Sequence, residues 1–134
     1  MTLRCLLVDD NSQFLAAARD LLEREGLTVV GVSGHIADAV ARAAELAPDV
    51  VLVDINLGGE SGFDLAERLS PTPVIMISTH SGEDYIDLIE ESAAIGFLAK
   101  TALSADAVRE LLSGRRGRST PPGPAGGGRR CPAG

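Results

Sequence analysis

The sequence predicts an α/β protein: a doubly wound, five-stranded parallel sheet with helices on both faces. Three observations predict it. Strand-like and helix-like segments alternate along the chain, giving five β-α units. The strand segments are continuous apolar runs such as VVLVD at 50–54, the pattern of a sheet covered on both sides. Aromatics make up only 3% of a chain that is 45% apolar, and tryptophan is absent, so alanine, valine and leucine must fill the core. That composition suits small helices layered on a sheet.

Leu3–Val8 reads as the first strand. Asn11 or Ser12 then caps a helix running to about Glu25, with Phe14, Leu15, Ala18, Leu21 and Leu22 on one face and Gly26 as its stop. LTVVGV at 27–32 is β-branched and reads as the second strand. Ile36, Val40, Ala43, Ala44 and Ala47 form a second helical stripe ended by Pro48. VVLVD at 50–54 is the third strand, followed by a glycine-rich loop and a short helix around Phe63–Leu69. Pro73–Ser78 is the fourth strand, and an acidic helix follows over roughly 82–94 with Ile86 and Ile89 inward. Ile95–Ala99 is the fifth strand, and Ser104 caps a last helix that buries Val108, Leu111 and Leu112.

At 134 residues the chain has the length of one domain, expected at 1–113. Residues 114–134 differ in kind: seven glycines, four prolines and a group of arginines (Arg115, Arg116, Arg118, Arg129, Arg130) predict a disordered tail. The formal net charge is -7, but residues 1–112 carry 7 basic and 19 acidic side chains, a net of -12. So acidic a body disfavours nucleic-acid binding by the domain itself. Two cysteines, Cys5 in an apolar run and Cys131 in the tail, make neither a disulfide framework nor a metal-ligand spacing. Arg4, Asp9 and Asp10 interrupt any N-terminal signal region, and no apolar run approaches a membrane span of about 20 residues. The expectation is a cytoplasmic protein without a membrane partner.

In an open parallel sheet, ligands sit at the carboxyl ends of the strands, where strand order switches. Those ends present Asp9 and Asp10 from the first strand and Asp54 from the third. Ser78 and Thr79 come from the fourth, and Lys100, the single lysine, from the fifth. Clustered carboxylates repel unless a cation neutralises them, and an all-oxygen ligand set selects a hard ion, Mg²⁺ or Mn²⁺, over zinc. A metal held this way usually also meets phosphate oxygens, and a carboxylate is itself a competent phosphoryl acceptor. Asp54, ending the most apolar strand opposite Lys100, is the best acceptor candidate.

These residues resemble the receiver domain of two-component response regulators. The resemblance rests on Asp9-Asp10 after the first strand, Asp54 in VLVDINLGGESGF, Gly62 eight residues later, Ser78 ending the fourth strand and Lys100 in GFLAK. It spans about residues 3–112 and implies a flavodoxin-like fold with strand order 2-1-3-4-5. It implies Mg²⁺ held by Asp9, Asp10, Asp54 and the backbone carbonyl of Asn56, with Asp54 phosphorylated by a sensor histidine kinase. Ser78 would bond a phosphoryl oxygen and Lys100 would pair with the phosphoryl group. Phe97 matches the aromatic that reorients when Ser78 moves, although an aromatic in a strand also reads as plain core. Asn56 and His80 stand where the family tunes phosphoryl lifetime. The face made by the fourth helix, fifth strand and fifth helix would meet an output partner or a second copy.

Three positions depart from the family pattern: Gly58 replaces a usual proline, Thr79 a smaller residue, and Thr101 the proline that often follows the lysine. Thr101 resembles regulators with helix-turn-helix output. The expected activity is that of a phosphoacceptor switch with self-dephosphorylation only, not an enzyme. It could stand alone or form the receiver part of a transcriptional regulator. Two alternatives are a small Mg²⁺-dependent phosphohydrolase with an aspartate nucleophile and a degenerate docking module. The adjacent acids, in place of an Asp-x-Asp spacing, disfavour the hydrolase.

Overall fold

A computed structural model describes residues 3–57, 59–79 and 86–117. Five parallel strands form one sheet: β1 (Arg4–Val8), β2 (Thr28–Ser33), β3 (Val50–Asp54), β4 (Val74–Ser78) and β5 (Gly96–Ala99). Their spatial order is β2-β1-β3-β4-β5, the predicted doubly wound order. Between them run α1 (Ser12–Arg24), α2 (Ile36–Leu46), α3 (Gly62–Leu69) and α4 (Ile86–Glu91), with α5 (Ala105–Gly117) last. A two-residue antiparallel ladder pairs Asn56–Leu57 with Glu60–Ser61 in the β3–α3 loop.

Successive strand residues face opposite sides of the sheet, and each side has its own helices. Cys5, Leu7, Val50, Leu52, Ile75 and Ile77 pack with Ala18 and Leu22 of α1 and with Val108 and Leu112 of α5. Leu6, Val8, Val51, Val53, Val74 and Met76 pack with Ile36 and Ala39 of α2 and with Leu65, Ala66 and Leu69 of α3. β1 from Cys5 onward, β3 and β4 therefore read as unbroken apolar runs because both their faces are covered, whereas the flanking β2 and β5 are only partly buried. Each fully buried leucine or isoleucine adds about 1.5–3 kcal/mol. Cys5 is part of this core, and burial, followed by the negative charge of Asp49, pushes its thiol up to about 12. It is inert towards thiolate chemistry at neutral pH.

The helix starts follow the capping residues. The Asn11 Oδ1 accepts from Gln13 N at 2.9 Å and Phe14 N at 3.1 Å, so Asn11 rather than Ser12 is the cap of α1. His35 caps α2 through Nδ1, Ser61 caps α3, and Ser104 Oγ accepts from Ala107 N at 3.1 Å. At the far end of α1, Ala105 N donates to Glu25 Oε1 at 2.7 Å while Arg109 Nη2 donates to Glu25 O at 3.2 Å. One residue thus closes α1 and opens α5.

Several boundaries differ from the sequence expectation. The buried stripe of α2 is Ile36 and Ala39 with Val40, Ala43 and Leu46 partly buried; Ala44 and Ala47 are exposed. Ala47 is instead the C-cap, in the left-handed region at φ 47, which turns the chain before Pro48. The acidic helix is described over Ile86–Glu91, with Ile89 half-buried, and residues 80–85 lie outside the described residues. α5 continues through Gly117, past the expected start of the tail at 114.

Candidate functional site

Each strand of the sheet centre delivers one polar group to the same edge. β1 stops at Val8, and Asp9 follows with its backbone N–H donating to Ser33 O at 2.9 Å. That bond keeps Asp9 on the sheet, fully buried, while Asp10 turns out to solvent. Asp9 Oδ1 accepts from Asn11 N at 2.8 Å, which fixes the carboxylate at the start of α1. Asp54 is the last residue of β3 and only 8% exposed. Its Oδ1 accepts from Asn56 N at 3.2 Å, so the loop after the strand clasps the side chain that precedes it. Ser78 ends β4 as a buried polar residue, one step beyond Ile77, the register partner of Asp54. β5 ends at Ala99, and Lys100 opens a 3₁₀ turn to Ala102.

From there the Lys100 Nζ reaches back across two strands. It lies 2.6 Å from Asp9 Oδ2 and 3.5 Å from Asp54 Oδ2, with its side chain 12% exposed. Carboxylate oxygens of Asp9, Asp10 and Asp54 lie within 4.8 Å of one another. Asp9 Oδ2 is buried and receives no aligned hydrogen bond; the lysine contact is an ion pair of poor direction. A fixed, dehydrated carboxylate oxygen of this kind offers a ligand to a hard cation. The residues present fit Mg²⁺.

The electrostatics agree. Burial, followed by the negative charge of Asp9, raises the Asp54 carboxyl above its usual range, against the opposing pull of the Asn56 N–H and of Lys100. Burial disfavours the Lys100 ammonium, yet Asp9 and Asp54 together hold it above the ordinary lysine value. The site is thus a desolvated cluster with more negative charge than one lysine offsets.

Gly62 explains its own place in the pattern. A Cβ there would press on the Asp54 carbonyl oxygen and lie 2.8 Å from Met76 Cε. Gly62 N donates to Ile55 O at 2.9 Å, so α3 begins directly against the end of β3. Phe97 sits opposite Met76 and packs, half-buried, on the α2–α3 side of the core. Thr79 is exposed. Gly58 and His80 lie outside the described residues.

Two residues with direct roles here were not singled out by sequence reasoning. Phe14 places its ring 4.4 Å from the Lys100 ammonium. Its helical spacing marked it only as part of the apolar face of α1. Glu60 Oε1 accepts from Ile36 N at 3.0 Å, tying the β3–α3 loop to the start of α2. No local signal announces a contact between residues this far apart in the chain.

The family model for the response regulator receiver domain matches residues 5–112. This chain belongs to the response regulator receiver family. The receiver domain is 35% identical over 104 residues to a protein-glutamate methylesterase/protein-glutamine glutaminase of Caldanaerobacter subterraneus, covering 73% of this chain and 28% of that protein. It is 28% identical over 120 residues to the transcriptional regulatory protein LiaR of Bacillus subtilis, covering 84% of this chain and 57% of that one. The chain thus spans roughly a third of the methylesterase relatives, which it matches through their receiver portion alone. Among solved structures, the receiver domain of NarL from Mycobacterium tuberculosis superposes with a TM-score of 0.75 at 27% identity, covering 87% of this chain and 98% of that one. The response regulator domain of Thermotoga maritima CheB gives 0.67 at 28% identity, covering 91% of this chain and all of that one. The receiver fold acts as a signalling switch, and among its described residues no helix is long and apolar enough to cross a membrane.

Proposed function

We propose that this receiver domain is phosphorylated on Asp54 by a sensor histidine kinase in a Mg²⁺-dependent reaction. The observation that carries the reading is Lys100: one ammonium paired with both Asp9 and Asp54 where β1, β3 and β5 end. Asp9, Asp10 and Asp54, with the backbone carbonyl of Asn56, would hold the ion. When bound, it supplies positive charge for the carboxylates and for the oxygens of an incoming phosphoryl group.

The chain's own residues do the rest. A carboxylate oxygen of Asp54 attacks the phosphorus of the donor phosphohistidine. A P–O bond forms, the P–N bond breaks, and the electron pair returns to the imidazole nitrogen, which takes a proton from solvent. Phosphoryl transfer needs alignment and charge neutralisation more than covalent chemistry from the protein. Lys100 pairs with the transferred group, Ser78 bonds one of its oxygens, and Phe97 answers the movement of Ser78. Asn56 and His80 set how long the acyl phosphate lasts, and Thr79 crowds access to it. The surface of α4, β5 and α5 then meets an output partner or a second copy. The work is done in the cytoplasm by the domain that closes with α5, with the residues after Gly117 an extension. The domain serves as a stand-alone switch or as the receiver of a longer regulator, as in LiaR.

Incubation with Mg²⁺ and acetyl phosphate, or with a phosphorylated kinase, should give stoichiometric, hydroxylamine-labile phosphate that Asp54→Asn abolishes. Turnover of diverse phosphomonoesters would point to a hydrolase instead. No labelling by any donor would leave a docking module.

A further inference from the structure

We propose that Phe14 is a positioning residue for Lys100: its ring is the apolar floor that holds the ammonium against Asp9 and Asp54. Lys100 has four methylenes and many rotamers, so two anions alone leave it free to swing towards solvent and exposed Asp10. The ring closes that freedom. It lies 4.4 Å from Nζ, within the distance at which an aromatic face attracts a cation, and the attraction grows when the cation is dehydrated. This ammonium is dehydrated, its side chain being 12% exposed.

Phe14 is itself fixed. Its N–H donates to the Asn11 cap, and its side chain packs on the α1–α5 side of the core. The cap, the ring and the ammonium are therefore linked: Asn11 N donates to Asp9 while Asn11 Oδ1 holds the turn that carries the ring. The consequence for phosphoryl transfer rests on the reading of Asp54 as the acceptor; the consequence for the lysine does not.

Lys100 is the only lysine in the chain, so ¹³C,¹⁵N-lysine labelling gives one set of side-chain signals. In the wild-type protein its ε-methylene protons should be shifted upfield by the ring and show a nuclear Overhauser contact with the Phe14 ring protons. Phe14→Leu should move those signals to their solvent-exposed position, and Phe14→Tyr should keep them. With Mg²⁺ and acetyl phosphate, Phe14→Leu should lower the maximal phosphorylation rate about three- to tenfold with an unchanged half-saturating donor concentration, and Phe14→Tyr should restore it.

A wild-type lysine with no ring shift and no Overhauser contact overturns the proposal, and this needs no variant to fold. So does a folded Phe14→Leu protein that keeps either the lysine signals or the rate. If the wild type takes no phosphate, the acceptor reading of Asp54 fails, while the lysine signals still decide whether the ring holds the ammonium.

Discussion

The Lys100 Nζ stands 2.6 Å from Asp9 Oδ2, and Asp9 is fully buried. This ion pair joins the carboxyl end of β1 to that of β5 across β3 and β4. Its partner Asp54 is 3.5 Å from the same nitrogen. One cation therefore faces two desolvated anions, and removing it leaves both without compensation. Lys100→Met should lower the unfolding free energy in metal-free buffer by about 1–3 kcal/mol, below the usual cost of about 3–5 kcal/mol for breaking a buried pair because a proton can replace the lysine. Added Mg²⁺ should recover part of the loss; at tenfold excess over its dissociation constant, mass action contributes about 1.4 kcal/mol. Urea titrations with and without Mg²⁺ measure both. Equal stability of wild type and variant in metal-free buffer would show that the pair is structurally idle.

Asp54 gives a pH dependence of defined sign. Its carboxyl is raised, first by burial and then by Asp9. A group whose folded-state value lies above its unfolded one stabilises the fold below the unfolded value. That contribution is lost as pH rises through the folded value. Charged Asp54 is thus a liability at neutral pH in the metal-free protein. Asp54→Asn should raise the melting temperature at pH 7, and its advantage should shrink as pH falls through the carboxylate range. Thermal scans from pH 4 to 8 would refute this if Asn lowered stability throughout.

Gly62 sets the start of α3 tightly against the end of β3. Any Cβ meets the Asp54 carbonyl oxygen and the Met76 side chain, and the backbone carbonyl cannot give way as a side chain does. Gly62→Ala should cost about 1–3 kcal/mol, the usual range for overpacking. Because the displaced atom belongs to Asp54, acetyl phosphate labelling should slow as well. A variant as stable and as fast as wild type would mean that the loop accommodates the methyl group freely.

The sheet was legible in the sequence because a strand buried on both faces shows as an uninterrupted apolar run, and VVLVD and VIMIS are such runs. The acids at strand ends were legible for a related reason: Asp9 and Asp54 break those runs at the carboxyl edge, where the fold brings both to Lys100. The stripe of α2 was misassigned at Ala44 and Ala47 because alanine carries little hydrophobic information and suits either face. Contacts set by side-chain reach were invisible. Phe14 under Lys100, Glu60 on α2 and the double role of Glu25 each join residues with no local pattern between them.

Glu25 makes the last of these contacts testable far from the site. α1 runs back from the carboxyl edge of the sheet, so its end lies at the amino edge, away from Asp54. There Glu25 accepts from the N–H of Ala105 at 2.7 Å, and Ala105 is buried. Glu25→Ala leaves that donor without its partner at the start of α5, where its own helix has no acceptor to offer. The expected loss is about 1–2 kcal/mol, as for deleting a helix cap. Glu25→Gln retains the acceptor and should recover most of it. Substituting Arg109, whose bond to Glu25 O is exposed, should cost less. Amide exchange should pick out Ala105 in Glu25→Ala, and phosphate uptake on Asp54 should stay at the wild-type rate. A Glu25→Ala protein with slowed phosphorylation but unchanged stability would contradict this separation of the two edges.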